Sequence, residues 1–526
     1  MTGKILCTCY EFSACMKKKK IFFRKIVNTI DILVKLWYNS NINLIIGGFL
    51  MKLKKTIAFL LTLTTLGSTL ALPASAEMFG DINGDGAINA VDAASILQYA
   101  AYVGAGGKLD LKGFLNGEDE PQVPVDPPAE EDDTLTILAW NDYDLEMMLA
   151  CYKEDYPDAD VEILIAGGTG VEALNEYKAL LQSGGQYDLI MTESSWVNTY
   201  INDPQLALPL SSIGLTEADY SAAFPYTLEL GKNKQGELYG AVVDVCPGGF
   251  CYNTKLAEEH LGITSPAEMQ AEISDWDGFL QTADKLHKAT DGSVTMAASL
   301  DDMVHPFTIG SDMPTLIDGK LNMEKAAAFA ELAKECVDKG YVDPKTRQWS
   351  SKWNNAGLES TTMGYFYSTW CLEPGAMLEQ SSGGSGNWAI VAGPDEYFWG
   401  GYVYCVSPTC NSPKEAEQFL RYFTVNPEGM KKYADYSGYM VNNRTVIEDI
   451  IASGEHGNPL LGGQDEYSVL YDAAMKIDYN YEQAYEYDTN LIYCITDYLY
   501  DNPSLTVEEI LKIYMVAAAE LYGIES

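Results

Sequence analysis

The sequence predicts an α/β protein, with most of the chain built around a mainly parallel sheet. Three observations carry that expectation. Apolar runs at 135–139 (LTILA), 161–166 and 187–191 alternate with helical stretches at 145–155 and 171–183, a β-α-β-α-β order. A second pair of strands flanks a Pro-Gly-Gly break within 235–253, and an amphipathic helix follows, with Phe279, Leu280, Ala283 and Leu286 on one face. Finally, residues 364–404 (GYFYSTWCLEPGAMLEQSSGGSGNWAIVAGPDEYFWGGYVY) read as a helix-like piece, a Gly/Ser run, a strand at 388–391, a crossing and a second strand, with large aromatics throughout. Aromatic faces held at a crossing between two halves suit a cleft for a flat, partly apolar ligand.

A chain of 526 residues predicts more than one domain, and 47% hydrophobic content is ample for a core. The formal net charge is −41. Residues 1–76 carry eleven of the 34 basic residues and two of the 75 acidic ones, so the remainder is more acidic still. Such a surface repels nucleic acid and anionic membranes but not a neutral ligand. The four histidines, His260, His287, His305 and His456, include no pair at metal-ligand spacing.

Half of residues 1–50 are Lys, Ile, Asn, Phe or Tyr, a bias of AT-rich codons rather than of a domain. A basic segment with Lys52, Lys54 and Lys55, an apolar run from 57 to 72 and Ala74-Ser75-Ala76 then make a secretory signal, 51–76. Translation is expected to begin at Met51, leaving 1–50 an upstream extension. The mature chain is expected to start near Glu77, outside the cytoplasm, without a lipid-modified cysteine.

Residues 81–92 (DINGDGAINAVD) space oxygen ligands as a calcium loop does. Asp81, Asn83, Asp85, the Ala87 carbonyl, Asn89 and Asp92 supply them, and Gly86 permits the sharp turn. The following residues Ile96, Leu97, Ala100 and Val103 share one helical face. The module, 77–117, resembles one repeat of a dockerin, a calcium-binding unit that docks onto cohesins. Dockerins normally carry two repeats and this chain has one, so a cohesin partner and a lone calcium knob both stay open. Residues 118–133 (EDEPQVPVDPPAEEDD), acidic and proline-rich, form an extended spacer. The large domain then spans 134–526.

Four stretches of that domain, in this order, resemble the extracellular solute-binding proteins of ABC importers, sugar-binding family 1. They are DLIMTESSWVNTYIND, QGELYGAVVDVCPGGFCYNTKL, DWDGFLQTADKL and NWAIVAG…WGGYVYCVSP…SPKEAEQFLRYF. The resemblance implies a two-lobe periplasmic-binding-protein-like fold of type II with three hinge crossings. Lobe one would be 134–244 and 396–440, lobe two 247–394 and 445–526. It implies capture of a sugar or oligosaccharide between the lobes and delivery to an ABC permease. By the same resemblance Trp370 precedes a lobe-two strand and Trp399-Gly400-Gly401 stands at the second crossing.

A pyranose has two apolar C–H faces and a belt of hydroxyls, so indoles suit the faces and carboxylates or amides the belt. The expected ligand-binding residues are therefore Trp370 and Trp399 as platforms, with Gly400 and Gly401 allowing close approach. Trp140, Asn141, Glu193, Ser195, Trp196 and Asp244 are expected to contribute from lobe one. The tyrosines of 479–500 are expected to pack. No nucleophile elbow, dinucleotide fingerprint or Walker loop is present, so no catalysis is expected. The dockerin-like repeat keeps a secreted carbohydrate-active hydrolase or a polysaccharide-binding adhesin as alternatives. Of the eight cysteines after residue 77, the pairs 246/251 and 405/410 could bridge or could stay as buried thiols.

Overall fold

The computed structural model describes residues 133–168, 171–310, 313–317, 320–479, 485–522 and 524, all within one of the chain's two compact units. The signal, the calcium-type loop and the spacer up to residue 132 lie outside the described residues.

Eleven strands are described: β1 (Thr134–Ala139), β2 (Asp160–Ile165), β3 (Leu189–Glu193), β4 (Gly240–Val242), β5 (Gly248–Asn253), β6 (Thr295–Ala297), β7 (Leu316–Ile317), β8 (Lys320–Leu321), β9 (Thr362–Ser368), β10 (Trp388–Val391) and β11 (Tyr402–Val406). One sheet runs β2-β1-β3-β11-β4, another β10-β5-β9-β6, and β7 pairs with β8. In the first sheet β1 pairs in parallel with β2 and β3, while β11 enters antiparallel between β3 and β4. β3 is buried along nearly its whole length, as a central strand covered on both faces must be. Hydrogen bonds fix its start: the Asp188 side chain accepts from Thr136 N at 2.8 Å, Asn411 N at 2.9 Å and Ser412 N at 2.8 Å.

Local signals mark the second lobe well. Asn253 ends β5 and caps the helix Thr254–Leu261, accepting from Lys255 N at 3.0 Å. Asp275 caps the helix Trp276–Ala289 through Gly278 N at 2.7 Å. The second sheet departs from the parallel expectation, since β5 is antiparallel to both β9 and β10, and only β6–β9 is parallel. Residues 364–368, which open the aromatic stretch, belong to β9, buried at every position. Tyr365 and Tyr367 stack there with centroids 4.9 Å apart, against Trp388 and Trp353. The helix begins only at Met377–Ser382.

Three segments join the lobes side by side. Residues 243–248 lie between the other two, with Gly248 N bonding Tyr397 O at 2.8 Å and Trp399 N bonding Cys246 O at 2.9 Å on one side. On the other, Val245 N reaches Met440 O at 2.8 Å and Asn442 N reaches Val243 O at 3.1 Å. The C-terminal helices Tyr485–Asp501 and Val507–Tyr522 pack on the second lobe's helices Val304–Gly310 and Met323–Lys339.

All eight cysteines after residue 77 are free thiols. Five extended residues span about 16 Å, too far for the Cα separation a disulfide needs, so strand geometry keeps Cys246 from Cys251.

Candidate ligand-binding cleft

The carboxyl ends of β1, β3 and β4 converge on one cavity of about 890 Å³, the place where open α/β sheets present ligand groups. Trp140 stands just past β1, and Tyr143 and Asp144 open the following helix, Tyr143–Asp155. Glu193 ends β3, with Ser195 and Trp196 in the turn after it, and Asp244 follows β4. These residues make the lobe-one floor.

The floor is rich in carboxylates. Asp144 is clamped by two phenols, accepting from Tyr439 Oη at 2.7 Å and from Tyr402 Oη. Asn141 does not line the cavity. Its amide donates to Tyr402 Oη at 2.8 Å, so it positions that phenol from behind. Glu193 accepts from Ser195 Oγ at 2.9 Å. Burial raises its pKa above the usual carboxylate range, against the pull of the Ser195 hydroxyl and the nearby Trp196 indole. Asp244 is 4% exposed, and its Oδ1 is buried with no hydrogen-bond partner. Burial, then the like charge of Asp144, pushes its carboxyl far above the normal value. Trp140 also buries its indole N–H without a partner. Trp196 is 2% exposed and tilts against Tyr177, so most of its ring belongs to the core.

The lobe-two wall is aromatic. Trp370 lies in the 3-10 turn after β9, and Trp399 lies in the second crossing. Their rings meet edge to face at 4.9 Å, and Trp370 Nε1 donates to the Trp399 carbonyl at 2.8 Å. Gly400 follows with φ +88°, and a Cβ there would stand 2.9 Å from Trp370 Nε1. Glycine at 400 therefore admits the Trp370 ring, whatever else it admits. Ser194 Oγ holds the Gly400 carbonyl at 2.7 Å, tying the crossing to β3. His305 stacks on Trp399 at 4.7 Å, and burial lowers its pKa to about 3, so it is neutral.

A third indole completes the wall. Trp349 is 54% exposed and has φ +67°, the left-handed region that a bulky residue seldom occupies. It lies parallel to Trp370 at 6.2 Å. Its neighbour Gln348 is anchored by Asp301 and Asp302, through its backbone N at 3.1 Å and Nε2 at 3.2 Å. Asp302 also accepts from Trp353 Nε1 at 3.0 Å, and burial raises its pKa to about 7. A buried network thus holds a strained loop that offers an indole to the cavity.

Nine of the ten expected residues border the cavity, and Asn141 is the exception. Trp349, Asp144, Tyr402, Tyr439 and Tyr493 also border it and were not expected. Tyr493 packs against the core, as expected of the tyrosine-rich tail, and it also borders the cavity, with its hydroxyl 3.2 Å from His305 Nε2. Tyr402 could have been found from its place beside Gly401; nothing local marks Trp349.

Fold and site together define a two-lobed binding protein, with one sheet per lobe, three joining segments and a cavity between. The family model described as bacterial extracellular solute-binding protein matches residues 148–455, and the chain belongs to that family. No curated protein matches the chain. Among solved structures, an extracellular solute-binding protein of family 1 aligns with TM-score 0.64 and 17% identity, over 74% of this chain and 99% of that one. The ABC transporter associated binding protein from B. animalis subsp. lactis Bl-04, in complex with β-1,6-galactobiose, aligns with TM-score 0.56 and 17% identity, over 74% and 97%. The galacto-N-biose-/lacto-N-biose I-binding protein from Bifidobacterium longum, in complex with lacto-N-biose, gives TM-score 0.56 and 16% identity, over 74% and 98%. At these identities the likeness establishes the fold.

Proposed function

We propose that this chain is the extracellular receptor of an ABC importer, binding a sugar or oligosaccharide between its lobes without turning it over. The observation that carries the reading is the cavity's two-sided chemistry, indole faces on one side and hydroxyl-accepting carboxylates on the other. The sugar complexes of structurally similar proteins support it. Ligand that touches both lobes favours the closed arrangement, because only that arrangement makes both sets of contacts. The N-terminal sequence adds an export signal, a calcium ion on Asp81, Asn83, Asp85, Ala87, Asn89 and Asp92, and a spacer that separates this module from the receptor.

Thermal-shift screening against mono- and oligosaccharides tests the reading, since ligand that binds the native state raises its apparent stability. Titration of Trp370→Ala with the best hit should show a loss of about 1–3 kcal/mol, and scattering should show compaction of the wild type on binding. Release of smaller sugars during incubation, or no stabilisation by any sugar, would overturn it.

A further inference from the structure

Three carboxylates surround Tyr402. Glu193 is its cross-strand partner on β3. On the other side Val243 N bonds Tyr402 O at 3.1 Å, which places Asp244 beside it. Asp144 accepts from its hydroxyl. None of the described residues lining the cavity is Lys or Arg, and its histidine is held neutral. The site therefore carries acceptors of negative charge with no cation to balance them.

The acidic cluster is not the only sign of a ligand. Asp244 is more than nine-tenths buried, borders the cavity and leaves Oδ1 without a partner. A buried, unpaired carboxylate is costly in either protonation state. Asp144 differs, because two phenols satisfy it. Asp244 is the position at which the protein awaits a donor from outside.

We propose that the cleft selects glycans bearing a free amine, and that the protonated amine seats on the Asp244 carboxylate with Glu193 beside it. This rests on the sugar-receptor reading and deepens it. An ammonium supplies three donors and the missing positive charge. Anionic sugars such as uronates find no Lys or Arg among the described lining residues to pair with.

The test is calorimetric titration of the mature protein with matched glycans: glucosamine and galactosamine disaccharides, their N-acetylated forms, and cellobiose and lactose. The free amines should bind at least about tenfold tighter than their neutral counterparts, the difference between a charge-assisted and a neutral hydrogen bond. Asp244→Asn should bring that ratio towards one. Glu193→Gln should lower it too, and it serves if the Asp244 variant fails to fold, as melting of each variant will reveal. Equal or tighter binding of the neutral sugars overturns the amine assignment while leaving the sugar receptor standing. Stabilisation by Ca²⁺ or Mg²⁺ alone, abolished in Asp244→Asn, overturns it in favour of a metal. Failure of every glycan in this panel to bind overturns the amine assignment, and the wider sugar screen decides the receptor reading separately.

Discussion

On the lobe-two side of the cleft, Trp349, Trp370, Trp399 and His305 touch one another ring to ring and are fastened by the hydrogen bond from Trp370 to the Trp399 backbone. On the lobe-one side, Asp144, Glu193 and Asp244 face the same space, and Asp244 leaves an oxygen unsatisfied. The wall is complete without ligand and the floor is not. Aromatic surfaces can satisfy one another by packing, so a stacking platform can be assembled in advance at little cost. A carboxylate that must accept from a ligand cannot also be saturated by the protein. The floor therefore bears the instability of the empty site, and the wall contributes to the fold.

This contrast predicts opposite signs. The largest effect is expected at Trp399→Ala. Trp399 is 9% exposed and packed on three neighbours, so truncation should cost about 3–5 kcal/mol of stability as well as ligand affinity. Denaturant unfolding with unchanged stability would mean that the wall is not part of the core.

Asp244→Asn should move stability the other way, by about 1–3 kcal/mol at neutral pH, because it removes a buried carboxyl whose ionised form burial penalises. The pH dependence follows from the raised pKa values of Asp244 and Glu193. Between the unfolded value near about 4 and the higher folded values, the native state binds more protons. Stability of the unliganded protein from this pair is thus full below the unfolded value and declines as pH rises through the folded ones. Asp244→Asn should flatten that decline, whereas a wall variant should leave it unchanged. Melting temperatures of wild type and both variants across pH decide this, and parallel profiles would break the distinction between wall and floor.

The smallest effect on the fold is expected at Trp349→Gly. Glycine relieves the φ +67° conformation but adds chain entropy, so stability should change by less than about 1 kcal/mol. Ligand affinity should still fall by about 1 kcal/mol through loss of an exposed platform. A fall in stability with affinity intact would assign Trp349 to packing.

Much of the cleft was legible locally. Trp370, Trp399-Gly400-Gly401, Glu193 and Asp244 stand at strand ends and breaks, where an α/β chain places its ligand groups. Trp349 and Tyr493 were not legible. One sits in a loop and the other on a helix, and their positions depend on contacts with Asp301, Asp302 and His305 far along the chain. Asn141 shows the converse error. Its residue type suited a ligand contact, but Tyr402, distant in sequence, takes up its amide.

The sequence by itself determined the alternation of strands and helices in the first lobe and the acidic character of the protein, because periodicity and charge act over a few residues. Only the tertiary structure decided that β5 runs antiparallel to both its neighbours, that the cysteines stay apart, and that Asp144 is satisfied while Asp244 is not. Hydrogen-bond partners and desolvation depend on which distant segments meet. Two aspartates thus acquire different roles from the tyrosines that the joining segments and β11 bring to one of them.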